Sequence, residues 1–510
     1  MATITRRSMM AKMAAVAATL AVKSPLEAQV AKARPNILYA LADDWGWPHA
    51  SIAHDAVVKT PTFDRVCHEG VMFTNAFVAA PSCTPSRAAM LTGQWPWRLG
   101  EGTNLSSTLP VKYPVYPDLL EAAGYFVGYV GKGWDPGVVE AGGRKRNPAG
   151  DKYESIEAFF AARPEGKPFC LWFGSHDPHR PYKDEQYKGV IDPAKVVVPP
   201  YLPDSPEVRQ DIADYYFAVE RYDRDTGAIL ARLEKSGELD QTMVVMAGDN
   251  GWPFARAKAG IYDVGTHVPL AVRWKGHTRV GAVEEQFVSL EDIAPTFLEA
   301  ASVKIPAEMT GRPWQPLLRS GAKQPGRDSV LTGMERHMGA RGRVNPAGYP
   351  MRALRTKEWL YIRNFKPERY PAGDPACRPV THEQLKTSTY SGYADIDAGL
   401  SKAYLVEHKD EVPVEPKFEL ATGRRPAQEL YYMPEDPYQL KNLAGEAKYQ
   451  AKLKQMDAEL MRQLRLTDDP RLRGVELDRQ PLRHTGNFEA ERVKAFEDCP
   501  ADPMVAPERK

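Results

Sequence analysis

Cysteine is scarce: five in 510 residues, an odd number too small for a disulfide framework, so at least one thiol is unpaired or otherwise occupied. Neither charge dominates. The 67 Lys+Arg face 66 Asp+Glu, which fits neither a polycationic nucleic-acid surface nor a disordered acidic tail. No apolar run approaches the ~20 residues a transmembrane helix needs, and no internal repeat or low-complexity linker interrupts the chain. Neither a nucleic-acid partner nor an integral membrane span is therefore expected. What is present is ordinary globular usage, 43% hydrophobic, 26% charged and 10% aromatic. At roughly 150 residues per domain, the length allows about three units, or fewer if one is a large α/β domain.

Residues 1–33 read as an export signal. Arg6-Arg7 precede a mildly apolar stretch from Met13 to Val22, and Ala31-Lys32-Ala33 offers a cleavage site, a pattern like a twin-arginine signal. The mature protein is expected to be soluble and exported, to the periplasm or beyond.

From Arg34 onward, short apolar runs alternate with helical patterns, the rhythm of a doubly wound α/β domain. Ile37 to Ala42 stops at Asp43-Asp44, Tyr125 to Val130 at Gly131-Lys132, Phe169 to Phe173 at His176-Asp177, and Met243 to Ala247 at Asp249-Asn250. Ligands of open parallel sheets bind beyond the carboxyl ends of the strands, so these four polar clusters are expected to converge. Pro206 to Leu239 carries a helical stripe that includes Val208, Ile212, Tyr215 and Leu233, with Gly237 as C-cap. Ser289 to Asp292 opens another helix with a capping-box-like pattern. Past about Asn345 the rhythm changes: Tyr349 to Phe365 is strand-like and Lys448 to Leu464 is an amphipathic helix. The expected organisation is a catalytic domain over 34–345, with a large, mostly parallel sheet between helices, and a smaller α+β domain over 346–510 with a short antiparallel sheet.

The most specific segment is Pro81-Ser82-Cys83-Thr84-Pro85-Ser86-Arg87, followed by Leu91-Thr92-Gly93. Thr84 can cap a helix with Pro85 at its first position. Cys83 then stands at a helix N-terminus, where orphan amides bind oxyanions, and Arg87 adds a planar cation about a turn later.

This segment resembles the C-x-P-S-R…L-T-G signature of the type I, formylglycine-dependent sulfatases of the alkaline-phosphatase-like superfamily. Asp43-Asp44, Gly131-Lys132, His176-Asp177-Pro178-His179-Arg180, Asp249-Asn250-Gly251 and Lys258 accompany it in the family's order, and the likeness covers essentially the whole mature chain. The motifs most resemble the heparan N-sulfatase (sulfamidase) branch and bacterial polysaccharide sulfatases.

The resemblance implies hydrolysis of sulfate groups from a sulfated glycan, with Cys83 converted to formylglycine by a formylglycine-generating or other sulfatase-maturing enzyme. It assigns calcium to Asp43, Asp44, Asp249 and Asn250, with residue 83 as a further ligand; hard oxygen donors suit that ion. Arg87 is implied to hold the formylglycine and a ligand, and Lys132 and Lys258 to clamp sulfate oxygens. His176 is the expected general acid. Many relatives carry a histidine two residues after the first lysine, where this chain has Trp134. Trp134 is expected to form an apolar wall or sugar-stacking surface, and His267 is the conceivable substitute for the missing histidine. His179, Arg180, His337 (in Glu335-Arg336-His337) and Arg352 are expected substrate contacts. Two other readings stay open, a phosphoester or phosphonate hydrolase on the same fold and a sulfated-glycan-binding protein without catalysis. No pairing of Cys67, Cys170, Cys377 and Cys499 follows from the sequence.

Overall fold

The computed structural model describes residues 34–342, 346–483 and 488–496; the expected export signal and Cys499 lie outside the described residues. The main sheet has eight strands, here numbered with the rest in chain order: β1 (Asn36–Ala42), β2 (Val71–Phe73), β4 (Phe126–Gly131), β5 (Asp151–Tyr153), β6 (Phe169–Gly174), β7 (Thr242–Gly248), β8 (Leu270–Arg273) and β9 (Ala282–Glu284). Their spatial order is β5-β4-β6-β1-β7-β8-β2-β9. Only β8 runs antiparallel to its neighbours β7 and β2. A two-stranded parallel pair, β3 (Ala76–Phe77) with β10 (Val288–Ser289), stands apart.

Alternation along β1 explains why both faces are covered. Leu38, Ala40 and Ala42 enter one core and Ile37, Tyr39 and Leu41 the other, as the two-residue period of a strand requires. The first core packs against the helix Pro206–Lys235 through Val208, Ile212, Tyr215 and Leu233. The second packs against Cys83–Thr92 and Ile293–Ala300 through Met90, Leu91, Ile293 and Phe297. These are the layers of an α/β sandwich.

A second, antiparallel sheet has the order β11 (Ser329–Met334), β12 (Met351–Thr356), β13 (Trp359–Asn364), β14 (Gln428–Tyr432). The helix Gln450–Leu466 lays Leu453, Met456, Leu460 and Leu464 on Leu354, Tyr361 and Leu430 of this sheet. The boundary expected at 345 therefore cuts through a sheet. Ser329 to Met334 pairs residue for residue with β12, from Ser329↔Thr356 to Met334↔Met351, and strand pairing outweighs the change of sequence rhythm.

Two local expectations also change. The helix after β3 begins at Cys83 itself with Ser82 as N-cap, and the Thr84 hydroxyl instead donates to the Pro136 carbonyl at 2.6 Å. Ser289 makes no side-chain cap; a 3-10 turn, Leu290–Asp292, intervenes before the α-helix. Cys67 and Cys170 are buried free thiols, whereas Cys377 is disulfide-bonded. Among the described residues no helix is long and apolar enough to cross a membrane.

Candidate active site

Because β1, β4, β6 and β7 are parallel neighbours, their carboxyl ends open on one edge. Backbone pairing continues past the strands and fixes the loops: Asp43 N–H donates to Asp177 O (2.9 Å), Asp249 N–H to Ala42 O (3.0 Å) and Lys132 N–H to Gly174 O (2.7 Å). Gly174 permits the last contact, since a Cβ there would lie 1.8 Å from the Lys132 carbonyl oxygen. Asp44 has φ 72°, a left-handed conformation that Asp tolerates better than most residues, and its N–H donates to Asp249 Oδ1 at 2.9 Å.

Carboxylate oxygens of Asp43, Asp44 and Asp249 lie within 4.8 Å of one another. The Asn250 amide donates to Asp44 Oδ1 at 2.7 Å, while its own Oδ1 is buried without a partner. Three buried carboxylates so close, beside an orphaned carbonyl oxygen, leave a surplus of hard acceptors that fits a Ca²⁺-type ion.

Cations surround this group. Arg87 is fully enclosed: Nε donates to Asp249 Oδ2 at 2.8 Å, Nη2 to Asp43 Oδ1 at 3.4 Å, and Nη1 to the carbonyls of Lys132 (3.0 Å) and Gly133 (2.8 Å). Lys132 Nζ donates to Asp43 Oδ2 at 2.6 Å and Lys258 Nζ to Asp44 Oδ2 at 2.8 Å. Burial alone would raise the Asp43 carboxyl, but Lys132, His179, Arg87 and Lys258 together hold it well below the usual range. Cys83 Sγ lies 3.4 Å from Asp43 Oδ1 and 4.0 Å from Asp44 Oδ1. Burial, reinforced by Asp43, pushes this thiol well up, so as a thiol it is a poor nucleophile.

Cys83, Lys132 and Lys258 meet on the wall of one cavity of ≈ 780 Å³, together with His176, His179 and His337. Burial holds His176 below its ordinary value, with Lys132 and Arg87 nearby acting in the same direction and Asp43 against it. His337 Nδ1 is 2.8 Å from Ser82 Oγ, next to Cys83 in the chain. Arg180 also reaches the cavity, but its guanidinium is committed to Asp211 (2.6 and 2.8 Å) and to Pro253 O (2.9 Å).

Two expected substrate contacts do not face this cavity. Trp134 is fully buried in the core against Gly137, where a Cβ would meet the indole at 2.6 Å; the turn after β4 points the ring inward, so it stacks on no sugar. Arg352 is equally buried, because its place on β12 directs it to Asp469 (2.7 Å) and Glu335 (2.6 Å). Glu335 is thereby consumed, and Arg336 donates to backbone carbonyls at Asp478 and Gln480. His267 is stacked on Phe77 and bonded to Thr74 O at 2.9 Å, away from the cavity. Conversely, sequence reading missed Asp397, which lines the cavity and binds Lys258 Nζ at 3.1 Å. It belongs to no motif, and only the fold brings it there.

The mostly parallel sheet, with carboxylates, lysines and Cys83 gathered beyond the carboxyl ends of its strands, has the layout of an α/β enzyme site. The sulfatase family model matches residues 35–138 and 150–303, and the model of the C-terminal region of N-sulphoglucosamine sulphohydrolase matches 248–368. The chain belongs to the sulfatase family and is a sulfuric ester hydrolase. It is 27% identical over 491 residues to an ulvan-active sulfatase of Formosa agariphila, covering 87% of this chain and 77% of that one. It is 26% identical over 494 residues to human N-sulphoglucosamine sulphohydrolase, covering 86% and 92%. A solved structure in complex with its substrate D-glucosamine-2-N,6-O-disulfate shares the fold, with TM-score 0.58 and 18% identity over 86% of this chain and 98% of that one.

Proposed function

We infer that this sulfatase removes sulfate from a sulfated carbohydrate, using formylglycine at position 83 and a bound calcium ion, after export to the periplasm. The observation that carries the reading is the placement of Cys83 on one cavity wall with Lys132, Lys258 and His176, 3.4 Å from the Asp43 carboxylate. Names of relatives that act on ulvan or N-sulphoglucosamine support the glycan class.

Asp43, Asp44, Asp249 and Asn250 would hold the ion, which supplies positive charge to the sulfate oxygens. As its hydrate, formylglycine supplies a nucleophile for sulfur and a second hydroxyl for expelling sulfate afterwards. Arg87 keeps Asp43 and Asp249 in place from behind the site; it is wholly buried and reaches them directly. Lys132 and Lys258 neutralise the equatorial oxygens as charge develops on them. His176 donates a proton to the leaving oxygen or nitrogen; the arriving negatively charged sulfate group favours its charged form and offsets the depression caused by burial. Cys83 is 1% exposed, so its maturing enzyme must act before the fold closes.

The test is release of inorganic sulfate from 4-nitrophenyl sulfate and from D-glucosamine-2-N,6-O-disulfate by co-matured protein. Release that disappears in Cys83→Ala supports the reading. Faster turnover of 4-nitrophenyl phosphate or of a phosphonate monoester would favour the phosphoester alternative, and binding without turnover the non-catalytic one.

A further inference from the structure

Beside His179 and Asp397 the active-site cavity borders a second one of ≈ 600 Å³. The two share His179, Arg180, Pro181, Thr389 and Asp397 on their walls, and the second is of a size that holds small-molecule ligands, about 300–1,000 Å³. Lys402, itself buried, donates from Nζ to Thr389 O (3.1 Å) and Ile396 O (2.9 Å). The segment that separates the cavities is thus fastened at both ends and preformed.

Charge changes sign across that divide. On the first cavity's wall five Lys and Arg side chains face four carboxyl side chains, and on the second's two face five. In the second, Arg180 is neutralised by Asp211 at 2.6 Å and Lys386 by Asp184 at 3.1 Å. Asp214 and Glu383, also on its wall, have no ion-pair partner among the described residues. An anionic group placed there would meet the Glu383 carboxylate with no spare Lys or Arg on that wall among the described residues, whereas hydroxyl groups would find acceptors.

We propose that this second cavity is a subsite for an uncharged, hydroxyl-bearing sugar joined to the sulfated one. The inference rests on the glycan-sulfatase reading and deepens it: the preferred substrate is an oligosaccharide in which a sulfated residue neighbours a neutral one, and a uronate at that position is disfavoured. Glu383, on the helix His382–Thr387, sets the charge preference, and Thr387 at the helix end borders the space a sugar ring would fill.

Titration calorimetry on Cys83→Ala protein, which binds without turnover, tests this. The probes are D-glucosamine-2-N,6-O-disulfate and its 1,4-linked disaccharides with glucose and with glucuronate. The glucose disaccharide is expected to bind about tenfold tighter than the monosaccharide, and the glucuronate disaccharide no tighter. Adding Thr387→Trp should erase the gain while leaving monosaccharide affinity unchanged. Adding Glu383→Arg should bring the glucuronate disaccharide level with the glucose one. Equal affinity for all three probes, tightest binding of the glucuronate compound, or no binding of any would overturn the subsite. If wild-type protein still hydrolyses 4-nitrophenyl sulfate in that event, the sulfatase reading stands; loss of that hydrolysis would sink the reading instead.

Discussion

Lys258 and Asp397 lie 139 residues apart in the chain and 3.1 Å apart in space. The same ammonium reaches Asp44 at 2.8 Å, so a residue from the C-terminal part of the chain holds a cation directly over the carboxylate cluster. Burial disfavours the charged lysine, but Asp397 and Asp44 more than compensate and raise it well above its ordinary value.

Asp397→Asn keeps the shape and removes the charge. We expect kcat/KM to fall about tenfold, ~1.4 kcal/mol of transition-state stabilisation, because Lys258 is then drawn toward Asp44 and away from substrate. Steady-state kinetics with a melting curve checks this; unchanged kcat/KM with unchanged Tm would mean that Asp397 orients nothing.

Arg352 shows what sequence could and could not disclose. Its position near polar residues after a strand resembles a substrate contact, yet β12 turns it inward onto Glu335 and Asp469, and Arg471 joins Glu335 to Asp478. Removing one member leaves buried charges uncompensated, which costs about 3–5 kcal/mol. Arg352→Ala should therefore lower the urea midpoint sharply and leave KM of the remaining folded enzyme unaltered. A raised KM without loss of stability would restore the substrate role.

The strand ends were legible because apolar runs stop abruptly at Asp43, Lys132, His176 and Asp249, and the parallel sheet converts those stops into one edge. Cys83 was legible through its helix and motif. Asp397 and the placement of Trp134 were not: one depends on a long-range fold contact, and the other on which way a short turn points an indole. Neither leaves a periodic or local signal.

Sensitivity to acid follows from a buried histidine. Burial, with Arg355 nearby, pushes His267 down to about 3 from 6.5. Between those values the unfolded chain binds a proton that the folded chain refuses, so the stabilisation present above pH 6.5 is lost as pH falls toward 3. The slope is at most about 1.4 kcal/mol per pH unit. His267→Gln should flatten the fall in Tm between pH 7 and 5; an identical slope would show that His267 is not held neutral.

Chelation should act on the fold as well as on turnover. Asp43, Asp44 and Asp249 crowd their carboxylates together, so removing a bound cation with EGTA should lower Tm. The loss should be about 4 kcal/mol if calcium was present at a thousandfold excess over Kd. Added Ca²⁺ should restore Tm. An unchanged melting curve would exclude a resident ion at these residues.

The most direct measurement pairs mass spectrometry of the peptide containing residue 83 with sulfate release by the same protein sample. Matured protein is expected to carry an aldehyde in place of the Cys83 thiol and to liberate inorganic sulfate from D-glucosamine-2-N,6-O-disulfate in proportion to the aldehyde fraction. Full aldehyde with no sulfate released from this sugar or from 4-nitrophenyl sulfate, or equal release by Cys83→Ala, would contradict the account.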